Sequence, residues 1–288
     1  MIFDTYDTTI EAINTKLENY AKTIEELEAK QEAGQTLLSK EKRILKSTKQ
    51  NSKALGSIES VFDKKVEELS TCDYLIPLYS GQFEANKNDE KWLTRSINRM
   101  FKKKCTNDAF YAKLAEQYQE VAKSPDAIVF YAGVLMDKGE TNKAISYFDK
   151  AIEQQTDLKE KSKLLYKVAK IYKNRNQTEK AVAYAKKSVS VSKNNGRAYL
   201  MIARAYAASA NRCGKSEFEK RMAYVAAKKY ASNAAKYDAS VASNANSLIK
   251  NYEANQPNKK LIFNNELGLK SGDTYTVKCW FTETVKVP

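Results

Sequence analysis

A chain of 288 residues is long enough for two ordinary domains or for one elongated array, and its 42% hydrophobic content argues against disorder throughout. With nine Gly and four Pro it has too little punctuation for a sheet protein, and with no His it lacks the commonest general base and the commonest metal ligand, so no catalytic residue, metal or cofactor is expected. The formal charge of +14 favours acidic partners, but only eight of the 49 cations are Arg, and Lys lacks the planar fork that reads guanine or phosphate. Nucleic acid is disfavoured as a partner, and solubility is the plainer use of a Lys-rich surface.

Met1 to Asp7 (MIFDTYD) has neither a basic start nor an apolar stretch, and no apolar run approaches the roughly 20 residues that span a bilayer. The chain opens inside what reads as helix, without a cap, and is expected to be a piece of a longer precursor. From Ile10 the apolar residues Ile10, Ile13, Leu17, Tyr20, Ile24 and Leu27 trace one helical stripe. After Gly34 comes Leu37 to Leu45, and then Leu55, Ile58, Val61, Phe62, Val66 and Leu69 form a second stripe. Heptads are not sustained, so residues 1–70 read as a long antiparallel helical hairpin rather than a free-standing coiled coil.

Cys72 to Ala85 and Trp92 to Lys104 read as two short helices around the polar corner Asn86 to Asp89, and a third runs from Asp108 to Ala122. The basic run Arg95 to Lys104 (RSINRMFKKK) suits a polyanion, but cations in a last turn also complement the helix dipole.

Pro125 opens PDAIVFYAGVLMDKGETNKAISYFDKAIEQ, in which two amphipathic helices flank Lys138-Gly139-Glu140. Ile128, Tyr131, Ala132 and Leu135 mark the first helix, and Ala144, Phe148 and Ala151 the second. This segment resembles the tetratricopeptide repeat (TPR), in which small residues stand where the paired helices approach most closely. Leu165, Val168, Ala169, Tyr172, Ala181, Ala185 and Ser188 repeat the pattern, and Tyr199, Ile202, Ala203 and Tyr206 open a third copy. Ala169 and Ala203 lie 34 positions apart, which is the TPR period. The third copy's partner helix arrives late, after the insertion Asn211 to Ser216, with Ala227, Ala231 and Ala234 at its small positions. Residues 125–256 therefore read as a TPR array, residues 71–124 as degenerate repeats capping it, and Ser240 to Tyr252 as a closing helix.

After Pro257 the alternating run Thr274 to Phe281 reads as extended chain. The inserted RCG sequence, the alanine-rich helix and the tail GLKSGDTYTVKCWFTET together resemble a TPR family of Bacteroidetes. That resemblance implies a tail, residues 257–288, that packs on the last repeats, and a precursor with an export signal. The fold class is then all-α: a TPR-type solenoid with an N-terminal long helical hairpin and a short extended C-terminal tail.

Cys72, Cys105, Cys213 and Cys279 have no CxxC spacing. Cys72 begins one helix and Cys105 follows the next, ends that meet in an antiparallel pair, while Cys213 with Cys279 would staple tail to insertion. Two such bridges imply an exported protein of the periplasm or cell envelope; four free thiols would imply the cytoplasm. The function expected is a non-catalytic scaffold that receives an unidentified protein or peptide on the face of its first repeat helices, with Asn174, Arg197, Met201 and Arg204 as contact residues. A polyanion binder acting through the Lys-rich surface, whether on nucleic acid, anionic lipid or glycan, is the alternative. The sequence sets no oligomeric state.

Overall fold

The computed structural model describes residues 2–288, the side chains of residues 2–4, 7, 63 and 67 excepted, so the reading of Met1 to Asp7 falls partly outside the described residues. The chain forms two compact units, Met1–Val121 and Ala122–Pro288.

In the first unit α1 (Ile2–Glu32) and α2 (Ser39–Leu69) are each 31 residues long, joined at Gly34, whose φ of +75° suits a residue without Cβ. Most of the segment Leu37 to Leu45 belongs to α2, which starts at Ser39, and Leu37 and Leu45 pack with Leu27. The second apolar stripe is only partly used. Val66 is buried, but Ile58, Val61, Phe62 and Leu69 are 45%, 69%, 43% and 41% exposed, because a helix buries only the strip that faces a partner. Next come α3 (Cys72–Asn86), α4 (Glu90–Lys102) and α5 (Ala109–Ala122). Asp89 starts α4 by accepting the amides of Lys91 and Trp92 at 2.9 and 3.1 Å. Leu75, Tyr79, Phe83, Leu93, Ile97, Met100 and Leu114 are buried, and Lys91 Nζ reaches Glu11 Oε1 of α1 at 3.0 Å. Cys72 and Cys105 form a disulfide with Cα atoms 5.4 Å apart.

The second unit repeats one device. Its helix pairs are α6 (Pro125–Asp137) with α7 (Thr141–Gln154), α8 (Leu158–Asn174) with α9 (Thr178–Val191), and α10 (Gly196–Ala208) with α11 (Glu217–Tyr237), followed by α12 (Ala242–Asn255) and a short α13 (Lys259–Phe263). Ser124 caps α6 and Pro125 takes its first position, where a missing N–H costs nothing. The turn to α7 needs a left-handed residue, supplied by Gly139 at φ +78°, and in the next pair Asn176 does the same at +58°. The expected small positions are buried: Ala132, Ala144, Ala151, Ala169 and Ala203 have no exposed surface and Ala181 has 2%. Ser188, equivalent to Ala151, is also fully buried, and it survives there because it exchanges hydrogen bonds with Ser162 of α8 (Ser162 Oγ to Ser188 O 3.0 Å, Ser188 Oγ to Ser162 O 2.8 Å).

The tail is a hairpin rather than one extended run. β1 (Thr274–Lys278) pairs antiparallel with β2 (Thr282–Lys286), Thr276 opposite Thr284. The run through Phe281 breaks because Cys279 N–H donates to Phe281 O at 2.9 Å and turns the chain. Val277, Phe281, Val285 and Val287 are buried, as alternation predicts for one covered face, while the Thr residues face outward. Three attachments hold the hairpin. Cys279 is bridged to Cys213 with Cα atoms 4.9 Å apart. Phe281 stacks on Tyr206 at 3.5 Å between centroids, and Trp280 Nε1 donates to Ser209 Oγ at 2.8 Å. Glu283 accepts from Lys229 at 2.7 Å and Tyr230 Oη at 2.9 Å, with Lys186 of α9 at 3.3 Å.

Candidate partner-binding face

Consecutive first helices of a repeat array present one common strip, since residues spaced three or four apart lie on one side of a helix. On α8 the strip is Lys163, Tyr166, Lys167 and Lys170, and Asn174 continues it at the helix end. All are exposed except Tyr166, which is half-buried. On α10 the corresponding exposed residues are Arg197 and Arg204.

The electrostatics tie the two helices together. Burial pushes the Tyr166 phenol above its ordinary pKa, and the neighbouring Arg197 and Arg204 act on it in the opposite sense. Partial burial lowers Lys167, against the field of Asp137, and its ammonium lies 4.6 Å from the Phe148 ring centroid. Lys163 pairs with Glu160 at 2.6 Å. Arg204 Nη2 donates to Asn244 Oδ1 of α12 at 3.1 Å, which extends the face by one more helix. The strip therefore offers five cations along two helices and one half-buried phenol in the field of two of them, Arg197 and Arg204, an arrangement suited to carboxylates and to aromatic or aliphatic side chains between them.

Of the four contact residues expected from sequence, Asn174, Arg197 and Arg204 are exposed on this strip. Met201 is corrected: it is 7% exposed and belongs to the core with Ile202 and Tyr206, because α10 is packed on both sides and shows solvent only a narrow strip. Lys163, Tyr166, Lys167 and Lys170 were missed, although the same three-and-four spacing from Asn174 backward identifies them. No helix among the described residues is long and apolar enough to cross a membrane.

Comparison with known proteins places the repeats. The tetratricopeptide repeat family profile matches residues 125–157 and 162–195. Among solved structures, the crystal structure of MamA is similar over 58% of this chain and 88% of its own, with 20% identity and a TM-score of 0.43. YrrB, described as a TPR protein with an unusual peptide-binding site, is similar over 64% of this chain and 94% of its own, at 16% identity and a TM-score of 0.36. No curated protein matches the chain. The chain is thus all-α, with tetratricopeptide repeats at residues 125–157 and 162–195 and, among the described residues, one short two-stranded sheet near its C-terminus.

Proposed function

We propose that the second unit is a non-catalytic scaffold that binds an acidic segment of a protein or peptide partner along α8 and α10, through Lys163, Tyr166, Lys167, Lys170, Arg197 and Arg204, with Asn174 at the margin. The observation that carries the reading is the half-buried Tyr166 of α8 lying in the field of the exposed Arg197 and Arg204 of α10, beside the exposed lysines of its own helix. The experiment is a pull-down from cell envelope extract with the wild type and with the double charge reversal Lys170→Glu, Arg197→Glu. A protein recovered reproducibly by the wild type and lost by the variant supports the site. Recovery of none, together with retention on DNA or RNA at physiological salt that falls steeply with added salt, overturns it.

The compartment belongs to the same proposal. Two disulfides fit an oxidising, exported setting such as the periplasm or cell envelope, and the GLKSGDTYTVKCWFTET tail, folded against α11, is what supports kinship with the Bacteroidetes TPR family. Thiol trapping in intact cells tests it: four oxidised cysteines are expected, and free thiols in native protein return it to the cytoplasm.

A further inference from the structure

The two-stranded sheet has a ladder on one side of each strand only, and the pairing fixes which backbone groups point outward. Antiparallel partners alternate between pairs that exchange hydrogen bonds and pairs that do not. Val287 N–H donates to Asp273 O and Cys279 N–H to Phe281 O, both at 2.9 Å, so the bonded pairs are the odd-numbered residues. Thr276 and Thr284, an unbonded pair by that count, accordingly bring their hydroxyls within 3.2 Å. The backbone groups of Thr282, Thr284 and Lys286 therefore turn away from β1, and Lys229 Nζ, reaching Thr284 O at 3.4 Å, marks the side they face.

On that side lies a groove of about 570 Å³ between β2 and α11. Val225, Lys228, Lys229 and Ser232, one face of α11, line it together with Val285 and Val287, and Lys286 stands at its margin. The lining has an apolar floor and three lysines and contains no Asp or Glu; beside it Lys186 and Lys229 share Glu283, and Lys228 pairs with Glu253 at 3.5 Å.

We infer that the outer edge of β2 takes up an extended segment of a partner chain in which apolar and acidic residues alternate, added as a third strand. The backbone of the segment bonds to Thr284 and Lys286, taking the place of the Lys229 ammonium at Thr284 O; its apolar side chains lie over Val225, Val285 and Val287, and its carboxylates, on the opposite face of the added strand, meet Lys286 and the displaced Lys229 ammonium. The site is separate from the helical face proposed above.

A short capped peptide of alternating Val and Glu is the probe, and amide hydrogen exchange the readout. In the free protein the Thr284 and Lys286 amides exchange faster than the ladder amides of Glu283 and Val285, and with peptide the first two slow by about tenfold or more. A peptide N-methylated at alternate residues produces no slowing. Thr284→Pro removes the outward N–H together with the hydroxyl that meets Thr276 and weakens binding about tenfold, as does Lys286→Glu, whereas Thr284→Val, which loses the hydroxyl alone, leaves binding unchanged. If Thr284→Pro loses protection at Val285, the N-methylated peptide decides alone. The inference is overturned by unchanged Thr284 and Lys286 exchange at millimolar peptide, by equal binding of the methylated peptide, or by self-association of the protein through this edge in place of peptide binding.

Discussion

The α6–α7 pair and the α1–α2 pair carry the same kind of apolar spacing, yet they pack differently. In α6 and α7 the small residues Ala132, Ala144 and Ala151 have no exposed surface, and Phe148 of α7 is fully buried with them. Along α1 and α2 the crossing has Leu, Ile and Val instead of alanine, and four of the six apolar residues of the second stripe remain at least two-fifths exposed. A 3.6-residue period makes a helix amphipathic; small residues at fixed places in both partners make the pair close.

That contrast is open to direct test by chemical denaturation with far-UV circular dichroism. Phe148→Ala is expected to destabilise by about 3–5 kcal/mol, against a change within about 0.5 kcal/mol for Val61→Ala on α2. Similar losses at the two positions would break the comparison. Removal of the Cys213–Cys279 bridge by Cys213→Ala comes next, at about 4 kcal/mol from loop-closure entropy. With its cysteines 66 positions apart against 33 for Cys72–Cys105, it exceeds the other bridge by about 0.6 kcal/mol in that account. Loss of the first bridge costing clearly more would place its weight in native contacts of the first unit rather than in chain entropy.

Ala144→Leu sharpens the point about small residues. It inserts bulk where α6 and α7 meet and is expected to cost about 1–3 kcal/mol, measured as a lowered urea midpoint. A neutral result would mean that the pair can splay without loss.

The smallest expected effect concerns pH. Burial would raise the Glu283 carboxyl, but hydrogen bonds from Lys229 and Tyr230 and the field of Lys229 and Lys186 hold it below the ordinary Glu value. A group lowered on folding contributes stability above its unfolded pKa, about 4.3 for Glu, and that stability is lost as pH falls from there through the folded value. Wild-type stability is therefore expected to drop below about pH 4.3 by more than that of Glu283→Gln, which has no charge to lose. Parallel curves would remove Glu283 as the acid-sensitive fastening of the hairpin.

The sequence alone determined the helix pairs of the second unit. Gly139 and the recurrence of Ala132, Ala169 and Ala203, 37 and then 34 positions apart, are local features, and they leave a trace near the 34-residue period. It also determined which cysteines were near each other, because two helix ends and a short tail leave few options. Only the tertiary structure decided which stripe residues are covered and what the tail becomes. Val61 and Val66 look alike in a stripe, but one faces α1 and the other water; Met201 and Arg204 share a strip, but α10 is hemmed in around the first. Thr274 to Phe281 alternates like a single strand. Its folding back at Trp280 onto Tyr206 and α11 depends on partners about 70 residues earlier, which no window of local sequence contains.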